Sequence, residues 1–132
     1  DYTTHDLVGT ALKFLGVPYL WGGRTAMGLD CSALVQLALA MAGMTAPRDS
    51  DLQQNNLGTK VAMDDDQDFS RIEQGDLVYF PGHVGFFVGD WRFLHANAFD
   101  MQVSLHGFSE VLDRAIKDNA GVTAIRRIPQ TR

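Results

Sequence analysis

Apolar residues recur with helical spacing at Leu7, Val8, Ala11, Leu12 and Leu15, behind Thr3 or Thr4 as N-cap and ahead of Gly16 and Pro18. This pattern predicts a first amphipathic helix, because positions three and four apart share one helix face. Val17 to Gly28 breaks the period with Pro18, Tyr19, Trp21 and the glycines Gly22, Gly23 and Gly28, and reads as an irregular loop. Asp30 then offers a carboxylate N-cap to a second helix that runs from Cys31 to Ala42 and stops at Gly43. After its first turn this helix is apolar almost all round, so it is expected to be the central buried one. Pro47 to Gly58 reads as a short third helix capped by Asp49 or Ser50. Asp64, Asp65, Asp66 and Asp68 read as a solvated acidic loop, since the glycine and terminal glutamate of a calcium loop are missing.

From Gln74 the period changes to two. Asp76 to Phe80, His83 to Val88, Arg92 to Ala98 and Met101 to His106 read as strands parted by Pro81-Gly82, Gly89-Asp90 and Asp100. Ser109 to Asn119 reads as a last helix and Val122 to Ile128 as a closing strand. Helices first and a meandering antiparallel sheet second make the expected class α+β. With 132 residues and a hydrophobic fraction of 45%, residues 1–132 are expected to form a single folded domain.

Charge and composition narrow the function. A net charge of -5 leaves no basic stripe to neutralise phosphates, so nucleic acid is not an expected partner. The longest apolar stretch, Ala33 to Met44, is interrupted by Gln36 and falls short of the roughly 20 residues of a bilayer span, so no membrane-spanning helix is expected. The N-terminus, Asp1 to Asp6, has neither the basic nor the apolar part of an export signal, and a start at Asp points to a processed chain or an excised domain. A single cysteine excludes an internal disulfide and turns attention to what that thiol does.

Cys31 stands one residue after a helix cap, where unpaired N–H groups and the helix dipole favour a thiolate. The bland reading is a small buried hydrophobe. Two histidines weigh against it. With a three-residue turn at Gly89-Asp90-Trp91, Gly85 faces His95, and period two puts His83 and His95 on one sheet face as diagonal neighbours. A two-residue turn would split them. A thiol needs a base to take its proton and an acid to protonate a leaving amine, and one imidazole does both when a third group holds its tautomer. Cys31, His83 and His95 fit those roles, and the same trio could ligate zinc, although no closely spaced ligand pair anchors it.

Five segments occur in order: Pro18-Tyr19-Leu20-Trp21-Gly22-Gly23, Leu29-Asp30-Cys31-Ser32-Ala33-Leu34-Val35-Gln36, Pro47-Arg48-Asp49-Ser50, Gln74-Gly75-Asp76-Leu77-Val78 and Gly82-His83-Val84-Gly85. Together, across about Asp6 to Ile128, they resemble the NlpC family of papain-like bacterial cell-wall endopeptidases. The resemblance implies a papain-like fold with no cofactor and no metal, and hydrolysis of the γ-D-glutamyl to diamino-acid bond of a peptidoglycan stem peptide, L-Ala-γ-D-Glu-diamino acid. It implies Cys31 as nucleophile, His83 as acid/base, His95 as the residue that orients it, and Tyr19 as a donor to the oxyanion. Asp30, Ser32, Ser50 and Trp21 are implied as substrate-binding, Asp30 facing the amine of an N-terminal L-alanine.

Each of these has a plainer reading: Asp30 and Ser50 as helix caps, Ser32 as a first-turn filler, Tyr19 and Trp21 as core aromatics, Arg48 as half of an ion pair. Ala33 departs from the family's usual glycine and is expected to add a methyl near the cleft floor. Many relatives carry a preceding SH3-like domain that walls off one subsite, so a separate SH3-like targeting domain is an expected partner. A non-catalytic peptide-binding module and an acyltransferase or amidase on the same fold are the alternatives. The wall substrate implies the periplasm or cell surface, or the cytoplasm for recycling of wall fragments.

Overall fold

The computed structural model of the chain describes residues 7–17, 24–25, 28–29, 31–41, 53, 58–63, 67, 69–97 and 102–128. Helix α1 spans Leu7–Leu12. It ends before Leu15, where the spacing had carried it, because the chain tightens into three-residue turns (Phe14 N–H to Ala11 O, 3.0 Å; Leu15 N–H to Leu12 O, 3.0 Å). Gly16, at φ +89°, then turns the backbone so that its N–H donates to Val103 O, and Val103 N–H donates back to Val17 O. Leu15 is left 50% exposed. The expected irregular loop contains a short antiparallel pair, β1 (Arg24–Thr25) with β2 (Gly28–Leu29). Helix α2 spans Cys31–Met41. Ser32, Ala33, Leu34, Val35, Ala38 and Leu39 are buried, while Met41 at its end is 55% exposed, so burial is one-sided at the C-terminal turn. The acidic loop at Asp64, Asp65, Asp66 and Asp68, and most of the expected third helix, lie outside the described residues.

The remaining elements are β3 (Thr59–Lys60), β4 (Leu77–Phe80), β5 (His83–Gly89), β6 (Arg92–Asn97), β7 (Gln102–Gly107), α3 (Phe108–Lys117) and β8 (Ala124–Arg127). They form an antiparallel sheet in the order β3-β8-β4-β5-β6-β7. The meander holds from β4 to β7, but the closing strand β8 returns to pair with β4 instead of extending the far edge. Arg127 anchors it there: its Nε and Nη2 donate to the two carboxylate oxygens of the buried Asp76, both at 2.9 Å, and Nη2 also donates to Arg71 O.

Both faces of the sheet are covered, which is why β4 reads Leu-Val-Tyr-Phe without alternation and is buried throughout. On one face Leu77, Tyr79, Val84, Phe86, Leu94 and Ala96 pack with Ala11 of α1 and the buried side of α2. On the other, Val78, Phe80, Phe87, Phe93 and Ile125 pack with Phe108 and Val111 of α3. Ala33 is fully enclosed in the first cluster, so its methyl belongs to the core and not to a cleft floor.

The β5–β6 connection decides which way the histidines point. Gly89 pairs with Arg92, leaving a two-residue turn of Asp90 and Trp91, both with positive φ (+52° and +55°) as a type I′ turn requires. That is the turn expected to split the histidines. It does not, because the register shifts between Phe87 and Gly89: the bulge at Val88 inserts one residue, and Phe87 pairs with Phe93 and Phe86 with Leu94. A two-residue turn plus a bulge has the same parity as the three-residue turn, so Gly85 does lie opposite His95.

Candidate active site

Cys31 is the first residue of α2 and is half-buried against the core. Its thiol points toward the carbonyl oxygen of Gly82, with Sγ 3.9 Å away. Gly82 closes the β4–β5 turn and precedes His83, so the sulfur sits where β5 begins. The helix layer and the histidine face are on opposite sides of the sheet, and they approach each other at this end of it.

Across the sheet, His83 Nε2 lies 2.7 Å from His95 Nδ1. The pair is possible because Gly85, opposite His95, carries no side chain, so that the tip of the Phe93 ring and the β6 backbone can close over it. A Cβ there would run into the tip of the Phe93 ring and stand 2.7 Å from Leu94 O and 2.8 Å from His95 Cβ. Phe93 floors the pair, with ring centroids 6.3 Å from His83 and 4.8 Å from His95. Burial pushes the His83 imidazole down to about 4, and burial, then the neighbouring charges of His83, His106 and Arg114, push His95 well below the usual histidine range. Both rings are therefore neutral near pH 7, and His83, with Nε2 engaged, keeps Nδ1 for chemistry.

A third imidazole extends the row. His95 Nε2 lies 2.9 Å from His106 Nδ1, with ring centroids 5.1 Å apart. Sequence reasoning passed over His106. The signal was available: it ends a period-two strand next to the one bearing His95. In the β6–β7 register it faces Phe93, which makes it a diagonal neighbour of His95 just as His83 is. The ring nitrogens meet in pairs at hydrogen-bond distance and do not converge on one point. Among the described residues no three His, Cys, Asp or Glu side chains are arranged to hold a metal ion. A cavity of about 220 Å³ opens against His83 and His95 on the α3 side, walled by Phe80, Val111, Arg114 and Asp118.

Behind α2, Gln53 is fully buried and ties the first helical turn to the sheet. Its Nε2 donates to Ser32 O at 3.1 Å, and Tyr79 Oη donates to its Oε1 at 3.4 Å. Burial pushes the Tyr79 phenol up, so it remains a protonated donor. Ser32 itself is 6% exposed. Tyr19, Trp21, Asp30 and Ser50, and with them Arg48, lie outside the described residues.

The sequence model described as the NlpC/P60 family matches residues 16–119. The chain belongs to the NlpC/P60 family. Among NlpC/P60 relatives it is 31% identical over 105 residues to dipeptidyl-peptidase 6 of Lysinibacillus sphaericus, covering 80% of this chain and 36% of that protein. It is 35% identical over 102 residues to the γ-D-glutamyl-L-lysine dipeptidyl-peptidase of Bacillus subtilis (strain 168), covering 71% of this chain and 32% of that protein. The chain thus spans about a third of the length of these curated relatives. Its fold superposes on the peptidoglycan hydrolase RipB of Mycobacterium tuberculosis with a TM-score of 0.76 at 26% identity, covering 98% of this chain and 66% of that one. The α+β architecture is the papain-like one of NlpC/P60 domains.

Proposed function

We propose that this NlpC/P60 chain is a cysteine endopeptidase that hydrolyses the γ-D-glutamyl to diamino-acid bond of peptidoglycan stem peptides. The observation that carries the reading is the contact of His83 with His95 at the strand end against which the Cys31 sulfur rests. A relative's name, γ-D-glutamyl-L-lysine dipeptidyl-peptidase, supplies the bond class.

His83 takes the Cys31 proton on Nδ1 as the sulfur attacks the amide carbonyl, and His95, accepting from His83 Nε2–H, holds the ring in that tautomer. Backbone N–H groups at the start of α2, with Tyr19, stabilise the oxyanion. His83 then returns its proton to the departing amine of the diamino acid, leaving a thioester on Cys31. It next takes a proton from water, whose oxygen attacks the thioester, and gives that proton back to the sulfur as the carboxylate leaves. Asp30, Ser32, Ser50 and Trp21 are the residues that bind the stem peptide in this reading. The substrate places the enzyme at the cell surface or in the periplasm, where an SH3-like targeting domain would be a natural partner.

The test is mass spectrometry of L-Ala-γ-D-Glu-diaminopimelate-D-Ala incubated with the wild type and with Cys31→Ala. Cleavage after D-Glu by the wild type alone supports the reading. Equal cleavage by both, or an intact peptide with a thiol that resists iodoacetamide below pH 8, overturns it.

A further inference from the structure

We infer that His106 is a positioning residue that selects the reactive tautomer of His83, acting through His95. The inference rests on the peptidase reading above and adds to it a member that the five sequence segments do not contain.

The geometry leaves two proton arrangements for three neutral imidazoles joined Nε2 to Nδ1 twice over. In the forward one, His83 Nε2–H donates to His95 Nδ1 and His95 Nε2–H donates to His106 Nδ1, and His83 Nδ1 is a bare lone pair. In the reverse one every bond points the other way, and His83 Nδ1 carries a proton and cannot accept another from a thiol. Only the forward arrangement makes His83 a base. It requires a proton on His95 Nε2, and His95 is 4% exposed, so that N–H must find an acceptor inside the protein. His106 Nδ1 is at the right distance to be that acceptor.

Remove the acceptor, and the forward arrangement leaves a buried N–H without a partner, while the reverse one does not require it. The charged and titratable groups around the row are His83 on β5, Arg92 on β6 beside Gly107, and, on α3, Arg114 and Glu110, whose carboxylate lies next to Gly107. Asp118 follows at the end of α3.

The experiment combines two readouts on the intact chain. Nitrogen NMR of labelled histidines at pH 7.5 is expected to show His95 protonated at Nε2 and His83 unprotonated at Nδ1. In His106→Phe the His95 and His83 signals are expected to move toward the opposite tautomers. Steady-state hydrolysis of the stem tetrapeptide should then show kcat lower by roughly 10- to 100-fold in His106→Phe with KM within about twofold, the scale of one unsatisfied buried donor. His106→Gln, whose amide oxygen can accept in place of Nδ1, is expected to restore kcat to within about threefold and to keep the forward tautomers of His95 and His83.

The reverse tautomers in the wild type overturn the proposal, as does a His106→Phe enzyme with unchanged kcat. If His106→Phe does not fold, His106→Gln decides, because a kcat lowered by the roughly 10- to 100-fold expected of His106→Phe, despite the amide acceptor, overturns the role. The NMR measurement needs no substrate. Forward tautomers in a chain without turnover therefore count against the peptidase reading, and reversed tautomers in an active enzyme count against His106 alone.

Discussion

Gly85→Ala is a small perturbation with a calculable consequence. The added Cβ would stand 2.8 Å from His95 Cβ and 2.7 Å from Leu94 O, and would also meet the Phe93 ring. Carbon atoms in contact prefer about 3.5 Å or more, so β6 must move away from β5 by roughly 0.7 Å at this point. Leu94 O is backbone and Phe93 is fully buried, so neither yields by rotation alone. Overpacking of this kind costs about 1–3 kcal/mol, which for a chain of this size lowers the thermal midpoint by roughly 3–12 °C. The same displacement would stretch the 2.7 Å His83–His95 contact. A further 0.7 Å takes it to about 3.4 Å, past the range of a good hydrogen bond, and misplacement on that scale lowers kcat by about 10- to 100-fold. The assay is thermal unfolding by circular dichroism, paired with tetrapeptide hydrolysis at 25 °C where the variant is still folded. A midpoint within about 1 °C of wild type together with kcat within about twofold would refute the argument that the close approach of β6 over Gly85 holds the histidines together.

Stability should fall on acidification. His83 is depressed from 6.5 to about 4, so the unfolded chain binds the extra proton more tightly between those values, and stability is complete above about pH 6.5 and lost as pH falls toward 4. His83 alone accounts for roughly 3 kcal/mol of that loss, and His83→Gln should flatten the dependence of the midpoint between pH 7.5 and 5 relative to wild type; parallel curves would contradict it. Asp76→Ala takes from Arg127 its two hydrogen bonds to a buried carboxylate, leaving Glu73 at 3.5 Å and Arg71 O, and unpins β8 from the start of β4. With the Arg127 side chain 35% exposed, a loss of about 2–3 kcal/mol by chemical denaturation is expected, with hydrolysis per folded molecule unchanged; a loss under about 1 kcal/mol would contradict the anchoring role. Gln53→Leu leaves the buried Tyr79 hydroxyl without its amide acceptor and should cost about 1–3 kcal/mol; denaturation curves that overlay wild type would show that this bridge does not hold α2 in place.

Short-range information along the chain was enough for the longer described elements and for the two histidines that the structure brings together. Period two located the four strands from Asp76 to His106 to within a residue or two, and the cysteine at the head of an apolar helix stood out because a capped helix start is a local pattern. The five ordered segments then carried the family. The pairing of His83 with His95 was reached with the right partner, Gly85, from the wrong turn. Turn length and bulge are separate choices that parity alone does not distinguish, and which combination forms depends on how the right-handed twist of β5 and β6 fits a type I′ turn.

What needed the tertiary structure is what depends on neighbours distant in sequence. The end of α1 is set by Val103, about ninety residues on, and the place of β8 by a carboxylate at Asp76. Ala33 turned out to be core because the sheet covers it, where alignment of short segments had put it near the cleft. His106 is silent as a residue in its own strand and acquires meaning only when β7 lies beside β6 and brings its ring to His95. Amino-acid order determined which chemistry the chain carries, because reactive side chains and the periods that display them are local properties. The partners that tune that chemistry are a matter of strand order and register, and those follow from burying two sheet faces at once.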